Sequence, residues 1–295
     1  MSRLNRRQFI QTGAAVVGAG VLQGANAAQQ KRTATDWVTL NQSGVKVTRL
    51  GMGTGSNSGR VQMQLGEKGF IRLVHYAYER GIRFFDTADG YGKGHMQSLL
   101  AKALKDYDRD TYVIQTKMKR KRNAFEEIER FRKEWDTDYF DILLLHYCIE
   151  PDWPDLLSQN MDRLGEAKNK QWIRSMGASI HGLKGLRAMT DTNWMDTALL
   201  RVNHNGTAMD NEENKWEVKA DVDKCVDHIR TIHNKGTGVI GMKLIGNGNF
   251  KSRELREASI KYVMGLDCVD AVTIGFKSPQ EIDEAIELMN KHLNT

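Results

Sequence analysis

Three charged or titratable side chains close short apolar runs, and a tyrosine follows the first of them. Asp86, Lys117 and His146 close the runs, and Tyr91 lies five residues after Asp86. A charge at the end of a buried strand costs free energy unless it is paired, so we expect Asp86 and Lys117 to form an ion pair. An ammonium beside a phenol lowers the pKa of the phenol, which then suits a general acid. The alternative is an ordinary ion pair at a rim and a histidine at the edge of the core.

A regular alternation of strands and helices is predicted to position these side chains. Eight apolar runs have the length of buried parallel strands, and segments with helical periodicity follow them. The runs are Thr48–Gly51, Phe84–Asp86, Tyr112–Thr116, Tyr139–Leu145, Ile173–Gly177, Ala198–Val202, Gly238–Met242 and Ala271–Ile274. Eight such units in about 250 residues predict an α/β fold, a (β/α)8 TIM barrel with its chemistry at the strand ends. An open, doubly wound sheet is the alternative, but residues 51–55 lack the third glycine of a dinucleotide fingerprint.

The residues before the barrel are predicted to be an export signal and a linker. Residues 1–27 combine the twin arginine Arg6-Arg7, an uncharged apolar stretch and an Ala-Asn-Ala cleavage pattern. This layout predicts a twin-arginine signal peptide, a periplasmic location and the twin-arginine export machinery as a partner. The apolar stretch is shorter than the roughly 20 residues of a spanning helix, so no stable membrane span is expected after cleavage. Residues 28–37 are predicted to be flexible, and residues 38–295 to form the barrel, beginning with a short β-hairpin.

The segment around Asp86 and Tyr91 resembles the aldo-keto reductase family. Residues 81–92 read Gly-Ile-Arg-Phe-Phe-Asp-Thr-Ala-Asp-Gly-Tyr-Gly, and the Thr116-Lys117 strand end and residues 138–146 support the resemblance. The resemblance extends over nearly all of residues 38–290. It implies a (β/α)8 barrel that holds NAD(P)H in an extended conformation without a Rossmann domain.

The resemblance also implies a mechanism. The family's catalytic Asp, Tyr, Lys and His are matched in chain order by Asp86, Tyr91, Lys117 and His146. A hydride passes from the nicotinamide to the carbonyl carbon of a small aldehyde, ketone or sugar, and Tyr91 donates the proton to the carbonyl oxygen. Lys117, held by Asp86, lowers the pKa of Tyr91, while His146 orients the carbonyl.

The positions expected to bind the cofactor match the family less closely. The candidates are Gly53, Thr54, Asp86, Ser179, Asn203, Met242, Lys243, Lys277, Ser278 and Glu284. Ile180 stands where the family often has asparagine, and no aromatic residue is available at the end of the seventh strand. Lys277 and Ser278 are placed to hold a 2′-phosphate, so NADP(H) is expected in preference to NAD(H), although Glu281 would repel that phosphate.

Composition and charge exclude other classes of protein. The net charge is +6, but residues 1–27 hold three arginines and no acid, so the remaining excess does not indicate a nucleic-acid partner. Three cysteines without a CxxC pair indicate neither a disulfide scaffold nor a metal cluster. His228 and His233 have the wrong spacing for two ligands on one helix face, so no metal is predicted.

Three hypotheses of function remain open from the sequence. The first is an exported NAD(P)H-dependent aldo/keto reductase. The second, from another class, is a non-redox barrel that binds a sugar or carbonyl ligand in the periplasm with a degenerate cofactor site. Ile180 and the missing aromatic residue favour the second hypothesis, and the four catalytic candidates oppose it. The third keeps the enzyme but has it oxidise or isomerise sugars on its bound cofactor. The polar loop 204–217 is expected to overhang the active face.

Overall fold

A short antiparallel hairpin precedes the barrel in the computed structural model, which describes residues 31–294. Its strands are Trp37–Thr39 (β1) and Lys46–Thr48 (β2). Gly44 ends the connecting turn with a φ of +75°, a conformation in which glycine avoids the strain of a side chain. The predicted hairpin is therefore confirmed.

Eight parallel strands follow and close into a barrel. They are Leu50–Gly53 (β3), Phe84–Asp86 (β4), Val113–Lys119 (β5), Phe140–Cys148 (β6), Ile173–Ile180 (β7), Thr197–Arg201 (β8), Gly238–Met242 (β9) and Ala271–Gly275 (β10). Each strand pairs with the next one along the chain, and β10 pairs with β3. The predicted (β/α)8 barrel is confirmed. Strands β5 and β6 extend past the predicted ends, which places Lys117 and His146 inside strands.

Helices cover the outside of the barrel. They are Arg60–Met63 (α1), Gly66–Glu79 (α2), His95–Leu104 (α3), Ala124–Trp135 (α4), Trp153–Leu156 (α5), Ser158–Asn169 (α6), Leu183–Thr190 (α7), Val222–Asn234 (α8), Arg253–Met264 (α9) and Pro279–His292 (α10). The longer helices are amphipathic; α8, for example, buries Cys225, Val226, Ile229 and Ile232 on one face. Among residues 31–294, no helix has the length and apolar character needed to cross a membrane.

Two hydrophobic clusters pack the barrel, one outside its strands and one inside them. The larger cluster fills the space between the strands and the helices. The smaller one lies inside the barrel and joins strand residues such as Phe84 and Ile142 to Leu40 and Val47 of the hairpin. The hairpin thus covers the end of the barrel where the strands begin. A Cβ at Gly238 would lie 2.6 Å from the Leu40 Cβ, so this contact depends on glycine.

The described residues just before the hairpin are hydrogen-bonded to the body of the barrel. Arg32 donates from its backbone to Asn294 Oδ1 at 2.9 Å, and Ala34 donates to Asn290 Oδ1 at 2.7 Å. Ala34 is fully buried, and its carbonyl accepts from the amide of Leu50 at 2.8 Å. These partners lie more than 250 residues away along the chain, and the flexibility predicted for residues 28–37 stays a prediction. Sequence periodicity carries no signal for such distant partners.

Candidate active site

Neighbouring strands carry three of the four catalytic candidates to one edge of the barrel. Asp86 is the last residue of β4, Lys117 lies in the second half of β5, and His146 lies near the end of β6. Parallel pairing sets Asp86 beside Gln115 of the next strand, two residues before Lys117. All three side chains therefore reach the edge where the strands end, the usual location of active sites in this fold.

Lys117 and Asp86 form the predicted ion pair in the interior. Lys117 Nζ donates to Asp86 Oδ1 at 2.5 Å and to the backbone oxygen of Thr87 at 2.7 Å. Gln115 Nε2 donates to the same Asp86 oxygen at 2.7 Å. Burial lowers the pKa of Lys117, but Asp86 and Tyr91 together outweigh burial, so the pKa is above its usual value. The buried lysine therefore keeps its positive charge.

Tyr91 lies between this ion pair and His146. It is the first residue of a 3-10 turn, Tyr91–Gly94, which follows β4. The centre of its ring is 5.0 Å from Lys117 Nζ and 5.5 Å from the centre of the His146 ring, with the two rings nearly perpendicular. The structure thus brings together all four residues that the sequence singles out.

The pKa of Tyr91 differs from the sequence expectation. Burial raises it, Lys117 lowers it, and the net direction is upward. The expected effect of the lysine is present, but desolvation of the phenolate outweighs it. Tyr91 is therefore protonated at neutral pH, as a proton donor must be.

His146 is a neutral imidazole. Burial, followed by the charges of Lys117, Arg120 and Lys243, lowers its pKa to about 3. At neutral pH the ring has one N–H to donate and no second proton to transfer. Since Lys117 is held by Asp86, Tyr91 is the group best placed to give a proton to a bound carbonyl.

Close packing against Gly55 fixes the position of the Tyr91 ring. A Cβ at Gly55 would lie 2.4 Å from Tyr91 Cζ and 2.7 Å from its hydroxyl oxygen. We predict that Gly55→Ala displaces the phenol and lowers kcat/KM for carbonyl reduction by about 100-fold, the scale expected for a misplaced catalytic group. Gly165→Ala in α6 is the control, because a Cβ there meets open space. Wild-type kcat/KM in Gly55→Ala would contradict this prediction.

A cleft of about 650 Å³ begins at Asp86 and Tyr91 and crosses the ends of β3, β9 and β10. Asp86, Tyr91 and Gly53 line its inner part. Lys243 lines the cleft close to the catalytic residues. The outer part has both charge signs, with Lys251, Arg256 and Lys277 and the carboxylates Glu281 and Glu284. The volume lies in the usual range for cofactor sites.

The lining of this cleft fits a dinucleotide. Thr273 Oγ1 lines the cleft and is buried without a hydrogen-bond partner among the described residues. Gly275 leaves no room for a side chain, since a Cβ there would lie 2.0 Å from Ser56 Oγ. An unused hydroxyl, a close backbone approach and cations at the outer end are features that bind phosphate and ribose groups.

The structure places the predicted cofactor residues in two groups. Besides Asp86, five candidates line the cleft: Gly53, Met242, Lys243, Lys277 and Glu284. Thr54, Ser179, Asn203 and Ser278 lie outside its lining. Asn203, for example, donates from its amide to two backbone carbonyls of neighbouring loops, and Ser278 caps the N-terminus of α10. The role of this second group in cofactor binding stays a prediction.

A buried cluster beside the site was missed by the sequence analysis. Arg201 ends β8 and is almost fully buried. Its guanidinium hydrogen-bonds His181 Nδ1, lies 3.5 Å from Asp210 and stacks 4.3 Å from the centre of the Trp216 ring. The signal was an arginine inside a predicted buried strand, which requires a carboxylate partner. Through Asp210 and Trp216, the predicted loop 204–217 is anchored over the active face.

Comparison with known proteins agrees with this fold. The sequence model of the aldo/keto reductase family matches residues 49–264. This match covers most of the chain. It includes seven of the eight barrel strands, all but β10, and the four catalytic candidates. The chain belongs to the aldo/keto reductase family.

Individual relatives match over shorter lengths. Aldo-keto reductase YhdN of Bacillus subtilis is 29% identical over 160 residues, which are 49% of this chain and 46% of that protein. The NADH-specific methylglyoxal reductase of Escherichia coli is 25% identical over 199 residues, 59% of this chain and 61% of that protein. The chain therefore spans about half of the length of these curated relatives.

A solved structure shows the same fold. The aldo/keto reductase of Klebsiella pneumoniae, crystallised in complex with NADP and acetate, superposes with a TM-score of 0.61 at 16% identity. The superposition covers 85% of this chain and 89% of that chain. At this identity the likeness concerns the barrel alone.

Proposed function

We propose that the protein is an exported oxidoreductase that transfers a hydride between NAD(P)H and a small aldehyde, ketone or sugar carbonyl. The observation that carries the proposal is the buried Lys117–Asp86 pair beside Tyr91 and His146, at the inner end of a cleft that fits a dinucleotide. A barrel that only binds ligands has no need of a charged lysine buried against a tyrosine. The non-redox alternative therefore gains no support from this geometry.

The four residues divide the chemistry between them. When bound in the cleft, NAD(P)H supplies the hydride that reduces the carbonyl carbon. Tyr91 donates its proton to the carbonyl oxygen, and the positive charge of Lys117 stabilises the phenolate that forms. The neutral His146 donates one hydrogen bond that orients the carbonyl. Asp86 holds Lys117 in place throughout.

We propose NADP(H) as the preferred cofactor, and the charges at the outer end of the cleft support this choice. Lys277 is exposed there; its backbone N–H donates to Glu281 Oε2 at 2.9 Å, and its ammonium lies 3.6 Å from Glu281 Oε1. Glu284 is held by Arg256 through hydrogen bonds of 2.5 and 2.9 Å. Both carboxylates thus have partners within the protein, which reduces their repulsion of a 2′-phosphate. The Klebsiella enzyme binds NADP, whereas the E. coli relative is NADH-specific, so cofactor choice varies among the relatives.

A titration of the mature chain, from residue 28 onward, tests cofactor binding and choice. We expect NADPH to quench tryptophan fluorescence with a lower Kd than NADH. In Lys277→Ala the Kd for NADPH should rise about tenfold, the worth of one charge-assisted hydrogen bond, with the Kd for NADH unchanged. Lys261→Ala, an exposed lysine of α9 outside the cleft, is the control. If neither nucleotide bound, the proposed function would be contradicted. If Lys277→Ala raised the Kd for NADPH and the Kd for NADH equally, the assignment of Lys277 to the 2′-phosphate would be contradicted.

Export through the twin-arginine route is part of the proposal and lies in residues outside the described range. Its support is the layout of residues 1–27. Replacing both Arg6 and Arg7 with lysine should leave the precursor in the cytoplasm, because the export machinery reads the arginine pair. Arg3→Lys keeps that pair and is the control. Cell fractionation with mass spectrometry checks this: the exported form should begin at Ala28, and export of the twin-lysine variant would contradict the route.

A further inference from the structure

A second cavity lies against His146, at the ends of other strands than those that border the cofactor cleft. It has a volume of about 300 Å³ and is lined by Lys119, Arg120, Lys121, His146 and Tyr147. We call it the basic cavity. It lies at the ends of β5 and β6, whereas the cleft lies at the ends of β3, β9 and β10. Tyr91 lines the cleft, His146 lines the basic cavity, and their rings pack edge to face with centres 5.5 Å apart. A substrate whose carbonyl contacts both side chains can therefore extend its substituent into the basic cavity.

Three consecutive basic side chains line this cavity, and the neighbouring carboxylates do not neutralise all of them. Arg120 is paired with Glu150 at 2.6 Å. Lys119 lies 3.3 Å from Asp89, a carboxylate that also accepts from Arg130 at 2.6 Å. Over residues 31–294, Lys121 forms no salt bridge. The cavity therefore keeps positive charge that a ligand can neutralise.

The wall of the basic cavity is held rigidly. Tyr147 has a φ of +63°, a conformation that non-glycine residues adopt at a free-energy cost. The Arg120 guanidinium donates to the backbone oxygen of Tyr147, and the Tyr147 ring packs at 4.5 Å from His181. Such strain persists where the surroundings impose it, and it is concentrated at functional sites.

The electrostatic environment of His146 is also positive. The charges that lower its pKa, after burial, belong to Lys117, Arg120 and Lys243. Asp86 faces Lys117, and Glu150 faces Arg120. Lys243 Nζ contacts an uncharged amide, that of Asn247, at 3.0 Å. A substrate that brings a negative charge to this end of the barrel is therefore attracted.

We infer that the substrate is a carbonyl compound that carries an anionic group, a carboxylate or a phosphate, which binds in the basic cavity. Lys121 and Lys119 would contact the anion, and Arg120 would hold the Tyr147 wall and add its charge. This inference rests on the proposed reductase activity and adds the substrate class. Alternatively, these three side chains only solvate an exposed loop. In that case no selectivity for anionic substrates is expected.

A matched pair of substrates tests the inference. 4-Formylbenzoate and its methyl ester share the aldehyde and the ring and differ in charge. With NADPH, we expect kcat/KM to be about tenfold higher for the acid, the scale of a charge-assisted hydrogen bond, and the advantage to shrink as salt is added. Glyceraldehyde 3-phosphate against glyceraldehyde distinguishes phosphate from carboxylate.

Variants of the basic cavity identify the residues. Lys121→Ala and Lys119→Ala should each reduce the acid-to-ester ratio about threefold, as expected for an exposed charge, and Lys121→Glu should reduce it further. Lys105→Ala is the control, because this exposed lysine lies between α3 and the start of β5, at the other end of the barrel. A ratio unchanged by Lys121→Glu would overturn the inference.

The outcomes separate this inference from the proposed function. Turnover of both aldehydes with equal kcat/KM would overturn only the inference that the substrate carries an anionic group. If neither aldehyde were reduced, the proposed reductase function would fail for this pair of substrates. Calorimetry of 4-(hydroxymethyl)benzoate against its methyl ester would then show whether the basic cavity binds the carboxylate. Tighter binding of the acid that is lost in Lys121→Glu supports the basic cavity as an anion site. Equal binding overturns it.

Discussion

Replacing Tyr91 with phenylalanine is expected to lower kcat/KM for carbonyl reduction by a factor of about 10² to 10⁴, the usual contribution of a general acid. The change removes one oxygen atom and keeps the ring that contacts His146 and Gly55. Because the hydroxyl gives the proton and does not hold the cofactor, the Kd for NADPH should stay at its wild-type value. NADPH oxidation and fluorescence titration of the same preparation check both statements.

A second tyrosine provides the control for this substitution. Tyr139 directly precedes β6 and lies at the opposite end of the barrel, where its hydroxyl donates to Asp110 at 2.5 Å. Tyr139→Phe should therefore leave kcat/KM unchanged. Activity of Tyr91→Phe close to that of wild type would remove Tyr91 as the acid, and a weakened NADPH affinity would show that the hydroxyl serves binding instead.

The position of the catalytic residues was predictable because topology alone determines it. Parallel strands that end at one edge bring Asp86, Lys117 and His146 together whatever their exact bounds, and a buried lysine requires a carboxylate neighbour. The net direction of the Tyr91 pKa was not predictable. The sequence indicates which charge is near, whereas desolvation depends on how tightly the folded chain surrounds the phenol.

The cofactor cleft was predicted less completely because it is built from loops. Position along the chain placed Lys277 and Glu284 correctly at the cleft, but it did not indicate Arg256, which reaches the cleft from the first turns of α9. It also did not indicate that the Asn203 amide donates hydrogen bonds to backbone carbonyls of two loops. Side chains at loop ends have several partners within reach, and only packing decides among them.

The buried ion pair gives the largest expected effect on stability. Lys117→Met should lower the free energy of unfolding by about 3–5 kcal/mol, because Asp86 is left charged in the interior with Gln115 as its nearest donor. Lys102→Met is the control, since Lys102 pairs with Glu67 on the surface, where such pairs contribute at most about 1 kcal/mol. Urea unfolding of both variants measures the difference.

The double variant Asp86→Leu/Lys117→Met separates the structural role of the pair from its chemical role. An apolar pair of similar volume removes the unpaired charge, so most of the stability lost in Lys117→Met should return. Carbonyl reduction should not return, because no ammonium is left to stabilise the phenolate of Tyr91. A double variant as unstable as Lys117→Met would mean that the lysine's hydrogen bond to the Thr87 carbonyl, and not its charge pairing, holds this end of the barrel. Restored activity would mean that the phenol transfers its proton without the lysine, which would contradict the proposed mechanism.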